Sequence, residues 1–360
     1  MTTDLDRALR DALEEIGDAP PPVGVAPAVV RRVRRQGRVR VAVTGGALVA
    51  LVAVAAPLGM RAVGGGPSDP FAAGLPTSCS LVVTAYSAAD PQSPTARSLL
   101  RDDKTGEYVN LPFLSAVPSP DGSRVLVRGG EDTPTSPRVS GILDPASPDS
   151  VLWINKYTRE EGAWSPDGKE ILFTVRERLS DRGFAIVDAE TLKATFVKVD
   201  FYAGGNIGSQ DFVWAPGGNE VALTVSQSGG NEALADQVTG IRFYNRAGQL
   251  TRTLPATAPL YSGQGFSPDG SRIALHNRGV SGDPIKIIAT ATGAAQQTVP
   301  LPGVNEFIAW ADDEHLVVRH WGDDRKGSEV RVVDLAGRVA QVVALRADAV
   351  NSNGVSVACE

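Results

Sequence analysis

Trp164-Ser165-Pro166-Asp167-Gly168-Lys169-Glu170-Ile171-Leu172-Phe173 is the stretch on which the fold turns. Proline fixes φ at the first central position of a turn, aspartate caps the turn, and glycine supplies the positive φ. The β-rich run that follows is then the next antiparallel strand. The pattern returns as Ser119-Pro120-Asp121-Gly122 before SRVLVRG, Ala215-Pro216-Gly217-Gly218 before NEVALTV, and Ser267-Pro268-Asp269-Gly270 before SRIALHN. Two weaker copies follow, Ala311-Asp312-Asp313-Glu314 before HLVVRH and Asn351-Ser352-Asn353-Gly354 before VSVAC. Successive fourth positions are 46, 50, 52, 44 and 40 residues apart. An aromatic stands two residues before the proline position in four copies, as Trp164, Trp214, Phe266 and Trp310, whereas Pro118 and Val350 break the rule.

Each period continues with a second strand and another turn, as in Phe184–Val187 before Asp188-Ala189-Glu190 and Ile241–Tyr244 before Arg246-Ala247-Gly248. About four strands in 40–50 residues is the arithmetic of a propeller blade. The stretch Trp164–Phe173 resembles the repeat of the TolB-like propellers, and its poorer copies extend the resemblance over residues 79–360. The resemblance implies an all-β, six-bladed β-propeller and is nearly silent on function, because the repeat serves peptidase propellers and binding proteins alike.

Residues 79–360 number 282, or 47 for each of six blades. The last copy begins at 351, and only one strand follows it, so two strands of that blade should come from the beginning, within Leu81–Tyr86 and Ser98–Leu111. Both chain ends then close the ring in one blade, with the slot of each strand left open. Cys79 begins the first strand and Cys359 ends the last. Antiparallel pairing of those strands would set the start of one against the end of the other. A disulfide there would restrict the unfolded chain by about 5 kcal/mol in the entropy model.

Ahead of the repeats lies Val41 to Met60, twenty residues without a charge. As a helix it would cover about 30 Å, the thickness of a bilayer's hydrocarbon core. Its N-terminal flank carries Arg31, Arg32, Arg34, Arg35, Arg38 and Arg40, and its C-terminal flank Arg61 alone. Basic flanks stay inside, so this reads as an uncleaved anchor in a bacterial cytoplasmic membrane, N-terminus cytoplasmic and propeller extracytoplasmic. A cleaved signal peptide is disfavoured by the forty-residue leader and by Pro57 after Val54-Ala55-Ala56. The domains expected are a cytoplasmic tail (1–40), a membrane helix (41–60), a linker (61–78) and the propeller (79–360). In the tail, a capping box at Thr3 and Asp6 precedes Leu5, Leu9, Ala12, Leu13 and Ile16 on one helical face, residues 5–16 that could hold a cytoplasmic regulator.

The chain of 360 residues carries a net charge of -6, with 35 basic and 41 acidic side chains. Residues 1–40 hold eight Arg against six Asp or Glu, so the body beyond Arg61 is left at -9, an acidic surface unsuited to nucleic acid. Two cysteines and three histidines rule out a cysteine-rich zinc module and a multi-histidine metal centre. No G-x-S-x-G nucleophile elbow occurs. His276, His315 and His320 read as polar strand residues, and the pairs Asp102-Asp103, Asp312-Asp313 and Asp323-Asp324 as turn formers rather than a calcium funnel. No catalytic residue, metal ligand or cofactor is expected. The residues singled out are structural, from the motif prolines Pro120, Pro166, Pro216 and Pro268 to its aspartates and glycines and the blade aromatics. Trp153 and Trp321 stand outside the repeat register and would form a recognition surface if exposed. Two long connections, 131–150 and 226–237, are the favoured contact regions.

The function expected is a non-catalytic binding or scaffold module for a protein or cell-envelope ligand. The rival is a signalling protein, anti-sigma-like, whose tail binds a regulator; a funnel-type hydrolase ranks third.

Overall fold

The computed structural model describes residues 81–87, 97–129, 139–147, 150–154, 161–176, 182–199, 211–227, 237–277, 280–321, 328–345 and 354–359. The expected tail, membrane span, linker and Cys79 lie outside these residues, as do Asp323, Asp324, the turn 351–353, and 131–138 and 228–236 of the two long connections. Among the described residues no helix is long and apolar enough to cross a membrane.

The strands form six sheets. The first three, β1 (Leu81–Tyr86), β2 (Ser98–Arg101) and β3 (Tyr108–Leu111), make up blade one together with the last strand of the chain. Blade two is β4 (Ser115–Pro118), β5 (Val125–Gly129), β6 (Val139–Leu143) and β7 (Val151–Ile154). Blade three is β8 (Ala163–Trp164), β9 (Glu170–Val175), β10 (Gly183–Asp188) and β11 (Ala194–Lys198). Blade four is β12 (Val213–Trp214), β13 (Glu220–Gln227), β14 (Gln237–Asn245) and β15 (Leu250–Leu254). Blade five has β16 (Arg272–Leu275), β17 (Ile285–Ala289) and β18 (Ala295–Val299), its inner strand reduced to a single bridge between Phe266 and Ile273. Blade six is β19 (Val304–Trp310), β20 (His315–Trp321), β21 (Ser328–Asp334) and β22 (Val339–Ala344). The final strand, β23 (Val355–Cys359), pairs antiparallel with β1, Leu81 opposite Cys359, and gives blade one the order β23-β1-β2-β3. The chain start thus supplies three strands to this blade, not two, because Ser98–Leu111 is a hairpin rather than one strand.

Burial explains the sequence of each layer. The second strands of blades two to six are packed on both faces by neighbouring blades, so they read as continuous apolar runs: Val125-Leu126-Val127, Ile171-Leu172-Phe173 and Leu316-Val317-Val318 are all 3% exposed or less. The outermost strands meet water more, and β18 turns polar there, its Ala-Gln-Gln-Thr exposed throughout. The core is accordingly six clusters, each drawn from two consecutive blades. Leu172 and Phe184 of blade three pack with Trp214 and Leu223 of blade four, and Ala274 and Ile287 of blade five with Leu316 of blade six. The sixth cluster joins Val317 and Val330 of blade six to Leu81 and Val83 of blade one.

The blade aromatics add a directed contact. The indole N–H groups of Trp164, Trp214 and Trp310 donate to Val117 O (2.9 Å), Ala163 O (3.1 Å) and Gly265 O (2.9 Å), each in the preceding blade. Each buried N–H is thereby satisfied by the neighbour it packs on.

One expectation needs correction. The connection 131–150 is not a single insertion, since β6 lies inside it and pairs with both β5 and β7. The connection 226–237 likewise contributes Ser226, Gln227 and Gln237 to the β13–β14 ladder.

Candidate functional site

The motif turns line one face of the ring. In the Ser-Pro-Asp-Gly copies, the hydroxyls of Ser119, Ser165 and Ser267 donate to Asp121, Asp167 and Asp269 at 2.6, 2.7 and 2.6 Å. The same hydroxyls accept from the backbone N–H of Arg124, Glu170 and Arg272 at 3.0, 2.9 and 3.0 Å. These bonds hold the carboxyls below the ordinary aspartate range, the serine hydroxyl being the largest cause in all three. Gly122, Gly168, Gly218 and Gly270 close the turns at φ +69 to +71°, where an L-residue would be strained. The turns also stack between blades: a Cβ on Gly168 would lie 3.5 Å from Pro120, and one on Gly270 3.0 Å from Pro216.

At the opposite ends of the same strands lies a set of polar side chains that the sequence reading did not single out. The inner-strand pairings Pro118↔Val125, Trp164↔Ile171, Trp214↔Val221, Phe266↔Ile273 and Trp310↔Leu316 align the blades. Three residues further along stand Arg128, Thr174, Thr224, His276 and Arg319. The Thr174 hydroxyl accepts from Phe212 N–H at 2.8 Å and that of Thr224 from Leu260 N–H at 3.0 Å, tying down the chain as it enters the next blade. His276 is 1% exposed, and its backbone N–H reaches Pro259 O at 3.4 Å. The signal was present, because four of the five lie six residues after the motif glycine or its equivalent.

Among the described residues Arg319 is one of the largest fully buried side chains, 2% exposed. Its Nε and Nη2 donate to Ser328 Oγ at 3.1 and 3.0 Å, and its guanidinium sits 4.8 Å from the Trp321 ring centre. Burial pushes its pKa below the usual value, while Glu306 and Tyr86 act in the opposite sense. Beside it, His320 Nδ1 meets Asn305 Oδ1 at 3.0 Å, and Asn305 Nδ2 donates to Pro302 O at 3.0 Å.

The other singled-out side chains are held in local structure. His315 Nδ1 contacts the Asp312 carboxylate at 2.9 Å, Asp313 accepts from Asp269 N–H at 3.1 Å, and Asp102 accepts from Lys104 N–H at 2.8 Å. These acidic pairs cap turns. Trp153 is half-buried, edge-on to Phe113 with ring centres 6.1 Å apart, and lies over Gly129 and Gly141. Trp321 is half-buried beneath Arg319, so neither tryptophan is an open platform. Among the described residues, no group of three or more His, Cys, Asp or Glu is placed to hold a metal ion.

A cavity of about 240 Å³ lies at the motif end, between the inner strands of blades five, six and one. Phe266, Trp310, Val357 and Leu81 are among its lining residues.

No family model matches the chain, and no curated protein matches it. Among solved structures, TolB from Acinetobacter baumannii is similar with a TM-score of 0.49 and 19% identity, over 71% of this chain and 61% of that one. The chain therefore spans less than two thirds of that TolB's length. The β-propeller domain of the Trilobed protease from Pyrococcus furiosus gives a TM-score of 0.47 and 12% identity over 74% and 82% of the two chains. Hydrazine synthase of Kuenenia stuttgartiensis gives 0.45 and 13% over 82% and 99%. These likenesses are distant, and the fold rests on the six sheets themselves. The chain is a six-bladed β-propeller, with TolB among the solved structures similar to it.

Proposed function

We propose that the protein is a membrane-anchored, extracytoplasmic binding or scaffold module, non-catalytic, that engages a protein or cell-envelope polymer through its propeller. The observation that carries this reading is the use to which its reactive side chains are put. The motif aspartates are bound by serines, His315 by Asp312 and His320 by Asn305, all within turns and strand ends. What remains is a rigid ring with a broad face, the usual platform for recognition. The anchor at 41–60, the inside-out order of the chain and a disulfide between Cys79 and Cys359 belong to the same proposal. Mass measurement of the unreduced chain, 2 Da below the reduced form, would test the disulfide.

Binding at the face away from the motif turns predicts an asymmetry. Val280, half-exposed in blade five at that end, and Lys169, exposed in a motif turn, report the two faces. Envelope material captured on the full-length protein should be lost with Val280→Arg and kept with Lys169→Glu. Equal retention by both variants would count against that face. The tail reading is separated by removing residues 1–30: a cytoplasmic protein lost with the tail would move the function to signalling.

A further inference from the structure

The cavity at the motif end has a side chain's dimensions rather than a ligand's. At about 240 Å³ it falls below the roughly 300–1,000 Å³ of small-molecule pockets. Its lining is chiefly apolar: Phe266 and Pro268 from blade five, Trp310 and Ala311 from blade six, Val357 and Ala358 from β23. Leu81, the residue at which the described chain begins, is part of the same wall. The chain therefore reaches the ring beside the cavity, with eighty residues preceding it.

We propose that residues 71–75, Phe-Ala-Ala-Gly-Leu, dock against this cavity at the motif end, Phe71 filling it. Phe71 and Leu75 are the only aromatic, Leu, Ile or Met residues between 62 and 80, and the stretch 70–80 carries no charge. That composition matches an apolar, side-chain-sized hollow and sets these residues apart from the Gly-Gly-Gly-Pro-Ser-Asp run before them. Reach is ample, since ten extended residues span up to about 33 Å. The consequence is that the leader is held against the motif face, so the strand ends at the opposite face are left free. The proposal does not depend on the membrane reading.

The test is photo-crosslinking from Phe71→benzoylphenylalanine in the full-length protein, mixed with an isotope-labelled copy. Intrachain crosslinks to residues 264–268 or 309–311 are expected. They should fall at least tenfold in Ala358→Trp, which fills the cavity from an exposed lining position. An unchanged urea midpoint would show that this variant is folded. Chymotryptic cleavage after Phe71 should be correspondingly faster in Ala358→Trp than in the parent. Crosslinks to the labelled copy, crosslinks to the opposite face, no crosslinks, or a yield untouched by Ala358→Trp would each overturn the proposal.

Discussion

At the turn after the inner strand of blades two, three and five, one serine hydroxyl works as a hub. Ser165 is 2% exposed, donates to Asp167 and accepts from Glu170 N–H, while its carbonyl accepts from Gly168 N–H at 2.9 Å. Ser165→Ala leaves a buried N–H short of its partner and should cost about 1–2 kcal/mol, read as a lower urea midpoint at unchanged slope. The pH dependence follows from the lowered aspartates. Their stabilisation is fully present above the unfolded-state value of about 4 and is lost as pH falls through the lower folded values. Between about pH 5 and about pH 3 the urea midpoint should therefore fall more in the parent than in a variant with Asp121→Asn, Asp167→Asn and Asp269→Asn. Pro, Asp and Gly were legible as turn chemistry because each acts on its own backbone. The serine was not, because its second bond spans five residues and exists only when the next strand folds back.

Single elements show where local reading works and where it fails. The second strands were plain in the sequence, since burial on both faces demands an unbroken apolar run. β6, Val-Ser-Gly-Ile-Leu, was hidden among prolines and read as loop. Gly141 within it pairs with Trp153, and a Cβ there would come 2.5 Å from Val151 and 3.0 Å from the Trp153 ring. A glycine that looked like a loop residue is thus the seat of a tryptophan that would have been a recognition surface only if exposed. Gly183 in β10 is tighter still, because a Cβ would lie 2.0 Å from Val197 O. Gly183→Ala should break the β10–β11 ladder and cost roughly 2–4 kcal/mol, seen in thermal unfolding. The indole contacts give a milder test. Trp164→Phe keeps most of the packing but removes the indole's bond to Val117 O, for a loss of about 1 kcal/mol.

For the whole molecule, stability lies between blades, and every cluster needs two of them. β23 is the inner strand of blade one and covers β1 at five paired positions. Removing residues 351–360 should therefore do more than trim an end: the near-UV circular dichroism of the parent should be lost, and its urea unfolding should lose steepness. A truncated chain that still unfolds in one steep transition would show that the remaining blades hold the ring unaided. The sequence by itself determined the blade count, the turn chemistry and five copies of the repeat, because each depends on residues within about fifty positions of one another. The sixth copy, read at 351–354, was misplaced, since Gly354 O accepts from Ser87 N–H at the end of the blade away from the motif turns. It also set the acidic body and the basic leader, which are matters of composition. Only the tertiary structure decided that β23 takes the innermost slot beside β1 and that the tryptophans donate to the preceding blade. Those facts depend on contacts between separate blades, for which local propensity carries no signal.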